Sequence, residues 1–220
     1  MTISIQTTQE LTATYDAVVV GSGYGGGVAA SRLARMGFRV AVLEQGRAWR
    51  PGDFPTTVKE RRKTMRIAGR APNMGDPTGL YRLTVGKGLT VFAATGLGGG
   101  SLINAGVVLR PNFERLRKAG WPEAVLSDGL LNEGVKRAQT MLGVAPVPAP
   151  ERFAKYASMR RAAAAVGAEV QLPSVTIAHE PGRNAAGVMQ YACRNCGDCW
   201  SGCNVGAKNT VGITYIADAV

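Results

Sequence analysis

The sequence predicts an α/β fold of the Rossmann-like, dinucleotide-binding kind, on three observations: a run of consecutive valines, a glycine-rich turn directly after it, and a small-residue amphipathic stretch leading to a second apolar run. Residues 15–20 (YDAVVV) read as a fully buried parallel strand, because a continuous β-branched run bounded by glycine presents no polar face. Over residues 26–36, Val28, Ala29, Leu33 and Ala34 fall at helical spacing, Arg32 and Arg35 point outward, and Gly37 ends the turn. Residues 38–43 (FRVAVL) return as a second strand. The result is one βαβ unit, whose crossover should be right-handed.

After Gly46 a basic, Pro- and Gly-punctuated stretch runs to about Gly79, with one short helix over residues 57–67, and reads as an insertion or lid. Arg110-Pro111 closes a glycine-rich segment. Two helical patterns follow, 126–142 and 154–166, separated by the proline-rich VAPVPAP of 144–150. Residues 209–220 start a helix that stops in mid-pattern, so the expected organisation is that of the N-terminal part of a longer chain whose C-terminal part is missing. The expected segments are a flexible N-terminus (1–14), the βαβ unit (15–50), the insertion (51–83), the glycine-rich segment (84–110), a partly helical substrate-side segment (111–192), a cysteine loop (193–204) and the start of a truncated continuation (205–220).

An apolar content of 45% is enough for a packed core, and 26 Lys and Arg against 15 Asp and Glu give a net charge of +11. Such a charge favours anionic partners: phosphates, nucleic acid or an anionic membrane surface. Basic residues are dense from Arg47 to Arg70, yet Trp49 and Phe54 are the only aromatics there and no nucleic-acid-binding module is matched, so nucleic acid is not expected as a partner. The stretch reads as a solvated loop, or as a lid helping a peripheral enzyme reach a membrane. Residues 1–14 have neither the basic nor the continuous apolar region of a secretory signal, and a cytoplasmic location is expected. Residues 89–109 carry no charge over about a bilayer's length. Their glycines, Ser101 and Asn104 argue against a membrane span and for buried backbone beside a cofactor.

Gly21-Ser22-Gly23-Tyr24-Gly25-Gly26 satisfies GxGxxG between a strand and a helix, the context that gives the motif meaning. Gly21 permits the tight turn, Gly23 lets backbone approach a pyrophosphate, and Gly26 lets helix pack on strand, while the helix N-terminus offers free N–H groups. Glu44 ends the second strand, where a carboxylate can accept hydrogen bonds from both ribose hydroxyls and repel a 2′-phosphate. The motif serves NAD and FAD alike. A βαβ unit at the very start, followed by a long insertion instead of another βα unit, favours FAD.

A second motif, GLGGGSLINAG over residues 96–106, is too rich in glycine for an ordinary strand or helix, so something flat should pass close to its backbone. Through VVVGSGYGGGVAASRL, LEQGRAW and LGGGSLINAGVVLRP the sequence resembles the glucose-methanol-choline (GMC) oxidoreductase family, most closely its cholesterol oxidase branch. A weaker likeness extends to GAKNT and TYI near the end. The resemblance implies FAD as cofactor, with Tyr24, Gly25 and Glu44 on its ADP portion and Gly100, Asn104, Ala105 and Val107 along the flavin and ribityl chain. At Ala105 and Val107 the sequence departs from that branch, which carries glycine and methionine there. The family's reaction passes a hydride from a carbinol carbon to the flavin while a base takes the hydroxyl proton, with oxygen or a carrier protein as final acceptor. The implied substrate is a hydrophobic alcohol such as a sterol, which places the chain in steroid and lipid metabolism. The family's catalytic His belongs to its C-terminal part. The sole histidine here, His179, sits in a loop context and is read as non-catalytic. An FAD-dependent ketosteroid desaturase is a second enzyme reading, but it would not share the GGGSxxNAG block.

All four cysteines fall in CRNCGDCWSGC as Cys193, Cys196, Cys199 and Cys203, the spacing of a bacterial ferredoxin-type run, which predicts a [4Fe-4S] cluster. Asn204 replaces the proline that usually follows. Zinc bound by four thiolates, disulfides and free thiols are the alternatives. A cluster beside a flavin would make the enzyme a dehydrogenase with a carrier protein as acceptor; taken alone, the cysteine loop would suit a non-enzymatic electron-transfer module.

Overall fold

The computed structural model describes residues 14–69, 72–127 and 129–220; most of the expected flexible N-terminus and Arg70 of the basic stretch lie outside the described residues. The βαβ unit forms as expected. β1 (Ala17–Val20) and β2 (Val40–Leu43) pair in parallel, Val19 opposite Val42, with α1 (Tyr24–Arg35) between them in sequence. Gly37, at φ +86°, turns the chain out of α1, a conformation open to glycine without steric cost. Arg32 and Arg35 do face outward.

β1 is not the fully buried strand expected: Val18 is 58% and Val20 83% exposed. Among the described residues no further strand pairs with these two, and one face of β1 stays open while the other packs toward α1.

The insertion does hold a short helix, α2 (Val58–Lys63), capped by the reciprocal Thr57–Glu60 box. It also holds a sheet that the sequence reading missed. β3 (Met65–Gly69), β4 (Met74–Gly75), β5 (Tyr81–Val85) and β6 (Thr90–Ala94) form one sheet in the order β4-β3-β5-β6, which continues across the expected boundary at residues 83 and 84. Residues 89–109 are therefore not uniformly buried backbone. Leu89, Val91 and Phe92 lie exposed on or beside the edge strand β6, and Leu109 is 76% exposed. Among the described residues no helix is long and apolar enough to cross a membrane.

Beyond the glycine-rich segment, β7 (Val107–Val108) is followed by α3 (Phe113–Lys118), α4 (Glu123–Ser127), α5 (Leu130–Met141) and α6 (Ala154–Ala165). The expected helix 126–142 is split because Gly129 takes φ +82° between α4 and α5. β8 (Ser174–Val175) pairs with β7, and α7 (Tyr215–Asp218) closes the described chain against α1. Asp218 holds that contact by accepting from Ser31 at 2.5 Å and from Arg35; the Arg35 guanidinium keeps its carboxyl below the usual carboxylate range.

Two cores flank the glycine motifs. Ala30, Leu142, Val211, Tyr215 and Ile216 pack behind α1. Trp49, Phe54, Leu80, Tyr81 and Leu102 pack beneath the sheet, each large side chain contributing roughly 1.5–3 kcal/mol by burial. Gly46 and Gly96 lie against one another where the insertion leaves and rejoins the βαβ unit: a Cβ on Gly46 would stand 2.4 Å from the Gly96 nitrogen.

Candidate flavin site and the cysteine loop

Gly21 leaves β1 at φ +85° and its N–H donates to Leu43 O, so the turn is pinned to the end of β2. Gly23 caps α1 in extended conformation without a side-chain acceptor, and the first turn of the helix has no acidic residue. Its leading N–H groups and positive dipole end are thus left for an anion. A Cβ on Gly26 would sit 1.9 Å from Gly21 O, whereas Cβ atoms on Gly21, Gly23 and Gly25 would meet nothing within 4 Å. Gly26 serves packing, and the other three line open space.

The second glycine motif is folded onto the first. Gly98 and Gly99 take φ +110° and +53°, and a Cβ on Gly99 would lie 2.8 Å from the Gly23 Cα. Gly100 faces open space. Ser22, fully buried, fastens the two motifs and the acid together: its hydroxyl donates to Glu44 Oε2 at 2.5 Å and accepts from Gly98 N–H at 3.0 Å. Its own N–H reaches the same oxygen at 3.1 Å, and Gly46 N–H donates to Oε1 at 3.0 Å. Glu44 is held half-buried at the mouth of the turn with lone pairs remaining for hydroxyl donors. Ser22 went unnoticed in the sequence because it is an x of GxGxxG, and its partners lie 22 and 76 residues away.

Asn104 donates through Nδ2 to the Tyr24 hydroxyl at 2.7 Å and accepts through Oδ1 from Gly106 N–H. Burial pushes the Tyr24 phenol above its ordinary value, with the Asn104 contact opposing. Ala105 is exposed, and Val107, also exposed, sits in β7 opposite Val175. The chain therefore brings Tyr24 and Asn104 into contact and Glu44 to the fingerprint loop, while Gly100, Ala105 and Val107 present unfilled or exposed surface along the same segment. A glycine cradle that side chains would fill, a free helix N-terminus and an oriented carboxylate fit the phosphates and ribose of FAD.

This geometry defines the FAD-holding part of an α/β flavoprotein. A family model described as GMC oxidoreductase matches residues 15–220, and the chain belongs to that family, as its FAD-binding N-terminal domain. A cholesterol oxidase of Mycobacterium tuberculosis (strain ATCC 25618 / H37Rv) is 32% identical over 216 residues, covering 92% of this chain and 36% of the relative. One from Acinetobacter baumannii is 30% identical over 92% of this chain and 38% of its own length. A long-chain-alcohol oxidase of Arabidopsis thaliana is 29% identical over 93% of this chain and 24% of its own. The chain thus spans little more than a third of the cholesterol oxidases it matches.

The four cysteines lie around one small cavity of about 20 Å³, also lined by Ile177 and Lys208, and all four thiols are free. Among the described residues no group of three or more His, Cys, Asp or Glu side chains is drawn together as a metal-ligand set. Asn195 and Gly197 at φ +53° and +74° bend the loop, and Gly202 lies flat on the Phe54 ring, where a Cβ would come within 2.0 Å. Asn204 accepts from Gly52 and Phe54 N–H and donates to Phe54 O, which accounts for an amide where proline was expected. Arg61 pairs with Asp198 at 2.9 Å and lies over the Trp200 ring, so part of the basic insertion is spent on anchoring this loop.

Lys208 forms the other wall. It is 2% exposed, and its ammonium donates to Leu102 O, Asn104 O and Cys199 O at 2.8, 2.9 and 2.5 Å. Burial lowers its pKa to about 8, and Cys199 and Cys203 oppose that shift. The Cys199 thiol is pushed up by burial, with Lys208 acting in the other direction. His179 lies in a bend after Ile177, and its buried Nε2 finds no hydrogen-bond partner among the described residues.

Proposed function

We propose that this chain is the FAD-holding portion of an enzyme that oxidises a hydrophobic alcohol, of the hydroxysteroid class, at its CH–OH carbon. The observation that carries the reading is the seam between Gly23 and Gly99, which makes one continuous cradle of two motifs far apart in sequence. Bound FAD supplies the hydride acceptor. Ser22 orients Glu44 toward the ribose, the α1 N-terminus holds the pyrophosphate, and the Tyr24–Asn104 bond joins the ADP side of the site to its flavin side. No catalytic residue is assigned to this chain.

The sterol class is supported by the two cholesterol oxidases named above; the long-chain-alcohol oxidase supports apolar alcohols more broadly. The test is anaerobic mixing of the full-length holoenzyme with cholesterol and, separately, a long-chain primary alcohol. Bleaching of the flavin by the sterol alone supports the proposal, and bleaching by the primary alcohol alone replaces its substrate. Readmitted oxygen giving hydrogen peroxide would mark an oxidase; reoxidation only by a carrier protein would mark a dehydrogenase. A cytoplasmic enzyme acting on such a substrate would meet it at membranes, and the exposed Lys59, Arg62 and Lys63 of α2 are the residues suited to that peripheral contact.

A second proposal concerns the cysteine loop: Cys193, Cys196, Cys199 and Cys203 bind a metal centre, an iron–sulfur cluster by their spacing, with zinc as the alternative. It is favoured by the shared cavity of the four thiols. Iron, sulfide and zinc analysis of anaerobically purified full-length protein decides it.

A further inference from the structure

We infer that Lys208 is a positioning residue of the FAD site: its buried ammonium caps the turn that ends the second glycine motif and thereby fixes Asn104, the residue that holds Tyr24. This rests on the reading of Asn104 as a flavin-side residue.

The motif runs through a short 3-10 turn, Gly99–Leu102, after which the N–H groups of Ile103 and Asn104 both fold back on Gly100 O. Carbonyls at the end of such a turn have no partner inside it, and each needs a donor when it is buried. Lys208 supplies that donor from about 100 residues away. It is 2% exposed, and its ammonium gives one N–H each to Leu102 O, Asn104 O and Cys199 O. A cation at the C-terminal end of a helical turn also faces the negative end of its dipoles. An apolar side chain of similar length would fill the same space and leave the Leu102 and Asn104 carbonyls without this donor.

The lysine hangs from the same frame as the segment it caps. Thr176 N–H donates to Gly106 O, Asn209 N–H to Thr176 O and Ala178 N–H to Ala207 O, so the strip 176–178 is bonded between the end of the motif and the backbone around Lys208. Val211 N–H donates to the Ser101 hydroxyl of the same motif, and Ala207 and Val211 are both fully buried. Asn104 carries the constraint to the site. Its carbonyl is held by Lys208, its Oδ1 accepts from Gly106 N–H, and its Nδ2 donates to the hydroxyl of Tyr24 in the first turn of α1. A displaced ammonium would therefore release the contact that joins the two glycine motifs on this side. Lys208 needs no contact with FAD for this; it acts through Asn104.

The test uses the full-length protein as wild type, Lys208→Met, Asn104→Ala and the double variant. FAD affinity is measured by fluorescence quenching, and the visible circular dichroism of the bound flavin is recorded at saturating FAD. Asn104→Ala is expected to weaken FAD binding and change the dichroism; wild-type values there would overturn the flavin-side reading of Asn104, and the inference with it. Lys208→Met is expected to weaken FAD binding about tenfold and to reproduce the dichroism of Asn104→Ala, a signature that lost stability alone does not move. Wild-type affinity and dichroism in Lys208→Met, with Asn104→Ala altered, would overturn the role of Lys208 alone. Full additivity in the double variant would also overturn it, because a residue acting through Asn104 has little left to do once that side chain is gone. Since Lys208→Met could fail to fold, the wild type carries a second readout. Reductive methylation followed by peptide mass spectrometry reports the labelling rate of Lys208, which should fall when FAD binds; a rate equal with and without FAD would overturn the link.

Discussion

The Ser22 hydroxyl donates to the Glu44 carboxylate at 2.5 Å, so the acid proposed to face the ribose is aimed by the fingerprint loop itself. The same oxygen accepts from Gly98 N–H, and the two glycine motifs share this one buried hydroxyl. Ser22→Ala removes both bonds and leaves a buried N–H unpaired, at a cost of about 1–3 kcal/mol. FAD titrated by fluorescence quenching should bind roughly 10–100-fold more weakly, 1.4 kcal/mol being a factor of ten. An unchanged Kd would mean that Glu44 and Gly98 are held without it.

Gly26 and Gly100 should respond in opposite ways to alanine. At Gly26 the new methyl collides with Gly21 O, so the apo protein itself loses stability. At Gly100 it enters open space, so thermal unfolding of the apo protein stays the same while FAD binding falls. Parallel melts with and without FAD separate the two; a Gly100→Ala protein with full FAD affinity would remove that position from the cradle.

Asn204→Ala should loosen the contact between the cysteine loop and the insertion. Three hydrogen bonds to residues 52 and 54 are lost, an effect of about 3 kcal/mol if each nets close to 1. Denaturant unfolding reads the change, and faster alkylation of the cysteines should accompany it.

Glu60 titrates at about 2, because backbone N–H groups of Thr56 and Thr57 and the Thr56 hydroxyl donate to its carboxylate. Its folded pKa lies below the ordinary 4.5, so its contribution to capping α2 is complete above pH 4.5 and is lost as the pH falls through about 2. An NMR titration of the Glu60 side chain should show that midpoint, and Glu60→Gln should remove this part of the acid dependence.

The βαβ unit was legible because each of its elements is written locally: three valines, a glycine turn with its helix, and an acid at the end of the second strand. The four-stranded sheet of the insertion was not. β3 and β5 pair in parallel across an intervening strand, and the glycines and prolines between them look like loop until the pairing is known. The burial of β1 was overestimated for a related reason, since a run of valines reports strand propensity and says nothing of how many neighbours arrive. Within the site, Glu44 and the glycines could be read from spacing. Ser22 and Lys208 could not, because the bonds Ser22 makes to Gly98 and Lys208 makes to Leu102 join residues 76 and 106 apart. A lysine buried without a carboxylate has no sequence signature at all.

The meeting of Gly46 with Gly96 makes residues 47–95 a cassette whose two ends are clasped together, with Asn204 and Asp198 of the cysteine loop holding it farther out. The chain departs and returns at one place, and Leu97 N–H bonds to Arg47 O across the gap. Because its ends are already clasped, lengthening such a cassette adds only a slowly growing loop-closure cost, on the order of 0.6 kcal/mol per doubling. The cradle on the βαβ side need not move when the cassette is remodelled. Within one architecture, then, the part that grips the cofactor can stay constant while the sheet that grows from this junction is exchanged, and a chimaera cut at Gly46 and Gly96 would be the natural way to transplant it.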